Sequence, residues 1–177
     1  MVGITHKTRR TAWGGHAAVL LLCALLGLAG CRSHLPVYVE DLRVQKNNLT
    51  VVDVYGICGE RERQRTEVTP VDEYFATLGR PSRPQHVWRC SVDALPPAAL
   101  TTADANYRAW RQAGADTLVA VTPRPKRPFA TGPDERRVFF SPSAADYPAG
   151  TRSIALKLNE HGLRAEPSTR IIPNPVP

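Results

Sequence analysis

The sequence predicts a small α+β domain, a mixed and mainly antiparallel sheet with one or two helices. Three observations predict it. The element order reads β-β-α-β-α-β-β-β; the last three strands follow one another with no helix between them; and two segments carry helix-start chemistry. Mixed order with an antiparallel end favours α+β over a doubly wound fold. An all-β sandwich is the alternative, taken if the first helical segment is a loop.

Residues 37–44 alternate weakly and read as a strand. Lys46-Asn47-Asn48 is turn chemistry, so this strand and the next are expected to form a hairpin. Residues 49–58 are β-branched and apolar on both faces, as a central strand requires. Residues 59–70 carry charges of alternating sign and read as a solvated loop or an exposed turn of helix. Thr69-Pro70-Val71-Asp72 then opens a helix, with Thr69 as N-cap, Pro70 in the first turn, and Asp72 and Glu73 at the positive end of the dipole. This helix, 71–78, buries Val71, Tyr74, Phe75 and Leu78 and stops at Gly79. A loop over 80–84 leads to a strand at 86–92. Thr102 or Asp104 starts a second helix, whose Tyr107, Trp110 and Ala113 share one face. Gly114 ends it, and a strand at 116–122 follows at once. Residues 123–136 form a Pro- and Arg-rich loop, and 137–141 a short strand. Residues 151–158 alternate cleanly, with Ile154, Leu156 and Leu158 inward and one wet face. A last edge strand is expected within 163–172, and the Pro-rich residues 173–177 form a tail.

The first 30 residues read differently. Lys7, Arg9 and Arg10 make a basic start with no acid, and residues 17–29 form an apolar run of about 13. That run is short of the roughly 20 residues a membrane span needs, and suits the core of an export signal. It ends in Leu28-Ala29-Gly30-Cys31, which resembles the lipobox of bacterial lipoproteins. The resemblance covers about 31 residues and implies cleavage before Cys31, diacylglycerol on its sulfur and acylation of the new amino group. Several acyl chains give stable anchoring, at roughly 0.8 kcal/mol per buried CH₂. Arg32 stands where lipoprotein families place Asp for inner-membrane retention, so the outer membrane is the expected destination. The expected layout is a signal peptide over 1–30, a lipidated tether over 31–36, one periplasmic domain over 37–172 and a flexible tail.

The net charge of +7 overstates the domain. Lys7, Arg9 and Arg10 leave with the signal, so 20 cations face 16 anions, a +4 surplus too mild for a nucleic-acid footprint. Of the four cysteines at 23, 31, 58 and 90, the first leaves with the signal and the second carries lipid. Cys58 and Cys90 remain, in a compartment that oxidises thiols. A bridge between them closes about 31 residues and adds roughly 3–4 kcal/mol; the alternative is two buried thiols. No ligand spacing accompanies them, so no metal and no cofactor is expected.

His34, His86 and His161 stand beside no nucleophile motif, and no catalytic residue is assigned. Pro123-Arg124-Pro125-Lys126-Arg127-Pro128-Phe129 is the most suggestive surface feature. Prolines extend it, Arg124, Lys126 and Arg127 project cations, and Phe129 can anchor it against anionic headgroups, cell wall or an acidic partner. Residues 110–121, with Gly114-Ala115-Asp116 ahead of an apolar strand, resemble the helix-to-strand segment of the TolB amino-terminal domain and related envelope lipoproteins, over about 12 residues. The size and layout are also similar to those of the small lipoprotein of type VI secretion. The expected function is a non-enzymatic, lipid-anchored interaction module of an envelope assembly such as a secretion system, with an envelope protein as partner. A lipoprotein binding a ligand or the cell wall is the second reading, and an envelope hydrolase the third.

Overall fold

The computed structural model describes residues 33–44, 50–77, 84–92, 99–123 and 134–173, which belong to one unit, Ser33–Pro177. Among them are three helices, eight strands and one 3₁₀ turn, an α+β fold. The strands form two four-stranded sheets.

The first sheet is ordered β4-β1-β7-β8, from Ala99–Leu100, Val37–Asp41, Ser153–Leu158 and Leu163–Ser168. Its β1–β7 pair is parallel, with Val37 opposite Ile154 and Asp41 opposite Leu158; the outer pairs are antiparallel. The second sheet, β3-β2-β5-β6, is antiparallel throughout and consists of Trp88–Ser91, Val51–Ile57, Thr117–Val121 and Arg137–Phe140. The expected hairpin between the first two strands does not form. β1 instead takes a strand from the far end of the chain, because both of its sides are needed inside a buried sheet. The chain ahead of β1 is bridged to the chain after β6, through the His34 and Ser143 pair and the Leu35 N–H to Pro142 carbonyl bond at 3.0 Å. One apolar cluster draws on both sheets, with Val37, Val39, Ile154 and Leu156 from one and Val52, Val54, Leu118 and Phe140 from the other.

The tether expected over 31–36 is shorter than its sequence suggests. The Ser33 carbonyl accepts from Ala144, Leu35 is buried, and its carbonyl accepts from the Tyr107 hydroxyl at 3.1 Å. His34 sits edge-on to the Tyr107 ring, 5.9 Å between centroids. A segment that buries a leucine and exchanges backbone bonds is part of the fold. The wet face expected on β7 is also largely covered. Ser153 and Ala155 are buried, and Ser153 donates to the Arg170 carbonyl at 2.6 Å, in the chain after β8. Only Lys157 on that face is half exposed, paired with Glu166 at 2.7 Å.

The charged stretch after β2 is helix α1, Gly59–Val68, with no buried residue. Glu60 and Glu62 sit at its positive end, and Gln64 donates to Glu60 across one turn at 3.0 Å. Both are local devices for holding a helix that packing does not secure. Helix α2 spans Val71–Ala76 with Pro70 rather than Thr69 in the cap position, because the Thr69 hydroxyl donates back to the Arg65 carbonyl of α1 at 2.8 Å. Val71 and Tyr74 are buried and Phe75 half-buried, while the expected Leu78 and Gly79 lie outside the described residues. Helix α3 is Ala105–Gln112, capped by the Asp104 carboxylate, which accepts from Asn106 at 2.8 Å. Tyr107 and Trp110 are buried as expected, but Ala113 is exposed. The chain turns there toward Gly114, whose φ of +77° suits glycine.

Candidate functional site

Strand β2 presents Asp53, Tyr55 and Ile57 to one face of its sheet, since alternate side chains share a face. Asp53 is fully buried in the middle of that sheet. Arg89, opposite it on β3, grips the carboxylate in a fork, Nε to Oδ1 at 2.7 Å and Nη2 to Oδ2 at 2.6 Å. The Tyr74 hydroxyl donates to Oδ2 at 3.0 Å. A buried charge is tolerated when it is paired and hydrogen-bonded, and the carboxylate raises the pKa of the Arg89 guanidinium in return. Tyr74, held by Asp53, stacks on Tyr55 with centroids 5.4 Å apart and planes 12° from parallel, and takes Phe75 edge-on at 5.0 Å.

This aromatic pair lies beneath a cleft of about 670 Å³ between α1 and α2. Glu62, Arg65, Thr66 and Thr69 line it from α1 and the residue that follows it, a spacing that puts all four on one helix face. Glu73 and Thr77 line it from the side of α2, Pro84 and Gln85 from the segment before β3, and Arg137 from the start of β6. Arg137 reaches the end of α1, donating from Nη1 to the Glu67 carbonyl at 2.9 Å and from Nη2 to the Thr69 carbonyl. A cation on the last carbonyls of a helix satisfies orphan acceptors and the negative dipole end. Burial lowers the Arg137 pKa, and its Nε is buried without a partner among the described residues. Burial likewise pushes the Tyr55 phenol up to about 12, with Arg137 opposing and Glu62 and Asp53 reinforcing. Tyr55 is therefore a neutral hydroxyl across the physiological range, able both to donate and to accept.

No protein-family model, curated protein or solved structure matches the chain. The cleft is thus read from its own chemistry. It offers two carboxylates, two guanidinium groups and several hydroxyls, with no histidine or cysteine in its lining. That is the equipment of recognition by hydrogen bond and charge. Among the described residues no group of His, Cys, Asp or Glu is placed to hold a metal, and no helix is long and apolar enough to cross a membrane.

The site residues expected from the sequence lie elsewhere. Cys31, together with Arg124, Lys126, Arg127 and Phe129, lies outside the described residues. Cys58 and Cys90 are not joined, which corrects the expected bridge. Cys90 faces Val52 across the β2–β3 ladder, and Cys58 lies six residues further along β2, roughly 20 Å at strand spacing. A disulfide tolerates about 7 Å between Cα atoms. The Cys58 thiol donates instead to the Ala113 carbonyl and the Cys90 thiol to the Ser91 carbonyl, each at 3.3 Å. Cys58 is exposed at the start of α1, and its pKa is raised by partial burial and by Glu62 and Asp116. Sequence reading missed Tyr55, Arg65, Glu73, Tyr74 and Arg137. One signal was there to be used: Asp53, a lone carboxylate in an apolar central strand, requires a cationic or hydroxyl partner nearby.

Proposed function

We propose that the chain is a lipid-anchored interaction module of the cell envelope, facing the periplasm from the outer membrane and serving an assembly such as a secretion system. The observation that carries this reading is Leu28-Ala29-Gly30-Cys31, placed directly before a unit that begins at Ser33. One residue, Arg32, stands between Cys31 and Ser33 in the sequence. A domain held so closely meets its partners at the membrane surface. In the Cys31→Ser chain, metabolic acyl labelling is lost and the protein no longer fractionates with membranes as the parent does. Equal acyl incorporation and unchanged fractionation in the mutant would overturn the anchor.

A second reading, a ligand-binding lipoprotein, is favoured by the α1–α2 cleft. Its volume lies within the range of small-ligand sites, and a few converging polar groups set on a rigid sheet are the usual means of fixing a ligand's orientation. The two readings are compatible, since a small ligand can be the group through which an envelope partner is held.

A further inference from the structure

We infer that the α1–α2 cleft binds a short peptide through both of its charged ends, a free ammonium against Glu73 and a free carboxylate against Arg65. This ligand class presupposes the cleft as a ligand site, the second reading above. Arg65 belongs to the α1 wall and Glu73 to the α2 wall. Neither side chain has a hydrogen-bond or ion-pair partner among the described residues. The remaining charges are already engaged. Arg137 spends its two Nη groups on the end of α1, and Glu62 accepts from the Cys58 N–H at 2.8 Å. Among the described lining residues, Arg65 and Glu73 are therefore the unengaged cation and anion that a ligand meets.

Tyr55 supplies a third anchor. Its residue is 4 % exposed, yet it lines the cleft and its hydroxyl has no hydrogen bond among the described residues. It is also not among the polar atoms sealed from solvent without a partner, so the hydroxyl opens onto the cavity. Water satisfies that hydroxyl in the open cleft, and a polar group of a ligand can take the water's place.

Charge selects the ligand class. The described lining residues carry two carboxylates and two guanidinium groups. A ligand of a single sign meets like charge on one wall. An uncharged glycan strips water from charged groups and returns no charge to them. A zwitterion answers both walls, in charge-assisted hydrogen bonds that are shorter and stronger than neutral ones. The free Thr66 hydroxyl and Gln85 remain for the peptide backbone between the two ends.

The test is isothermal titration of the full chain in detergent with tri-alanine, N-acetyl-tri-alanine, tri-alanine amide and chitotriose. Tri-alanine is expected to bind, and each cap to weaken binding by about tenfold or more. In Glu73→Gln the acetyl cap loses its effect while the amide cap keeps it; in Arg65→Gln the reverse holds. Both side chains are exposed, so neither substitution disturbs folding. Tyr55→Phe weakens every peptide and leaves the cap effects in place. Capped peptides binding as well as tri-alanine, or chitotriose binding in their stead, overturns the peptide class alone. Failure of every probe at millimolar concentration overturns the cleft as a ligand site as well. Acyl labelling of Cys31 is read separately, so these outcomes stand whether or not the anchor does.

Discussion

At Asp53 a carboxylate with no exposed surface sits mid-sheet, and its hold on Arg89 and Tyr74 positions the aromatic pair below the cleft. Removing the guanidinium leaves a buried charge poorly compensated. Arg89→Ala is expected to cost about 3 kcal/mol or somewhat more, the scale of a broken buried pair, read as a lower urea midpoint with unchanged slope. A loss below about 1 kcal/mol would show that the carboxylate finds water. The thiols give a second outcome at this scale. Cys58 is exposed and Cys90 is 2 % exposed. Of these two thiols, alkylation of the native protein should therefore modify Cys58, slowly because its pKa is raised, and reach Cys90 only in denaturant. A non-reducing mass showing both sulfurs already linked would restore the bridge. Counting thiols identified two candidates, but counting has no geometry, and six residues of extended chain separate the places where the two sulfurs stand.

Elements were easier to read than the ways they pair. Helix α3 announced itself through Asp104, Tyr107, Trp110 and Gly114, all local chemistry. Its seat on β2 did not, because that depends on Gly56. A Cβ there would lie 2.9 Å from the Cβ atoms of Trp110 and Ala115. Gly56→Ala forces the helix away from the strand and should cost about 1–3 kcal/mol, with loss of the Trp110 indole bond to the His86 carbonyl, now 3.0 Å, visible in near-ultraviolet dichroism. An unaltered tryptophan signal would mean the helix gives way freely. Helix α1 was half legible: its charges were plainly solvated, but nothing in residues 59–70 said that one face, Glu62 to Thr69, overlooks a cavity. A cleft between two helices is a property of how they lie on a sheet, and the residues lining it follow no single periodicity.

Across the whole molecule, the fold class was legible because period-2 and period-3.6 patterns report burial directly. The division into two sheets was not, since it depends on β1 pairing with β7 across more than a hundred residues. The start of the domain was also misplaced, because His34, Leu35 and Pro36 look like a linker until Tyr107 and Ser143 are brought to them. Leu35→Ala should cost about 2–4 kcal/mol, the range for a buried leucine, in thermal or urea unfolding, although it precedes the first strand. Near-neutral behaviour would return residues 33–36 to the tether.

The parallel β1–β7 pair has a temporal consequence. During synthesis the chain emerges amino end first, and β1 has no complete place in its sheet until residues 153–158 have been made. Contacts so distant in sequence are slow to form, and a nascent chain lacking its last quarter leaves β1 with only its short β4 partner and no closed core. For the export proposed above, that delay is useful. Under that proposal the domain stays threadable while it crosses the membrane and completes itself on the far side, once the segment that closes the first sheet has arrived.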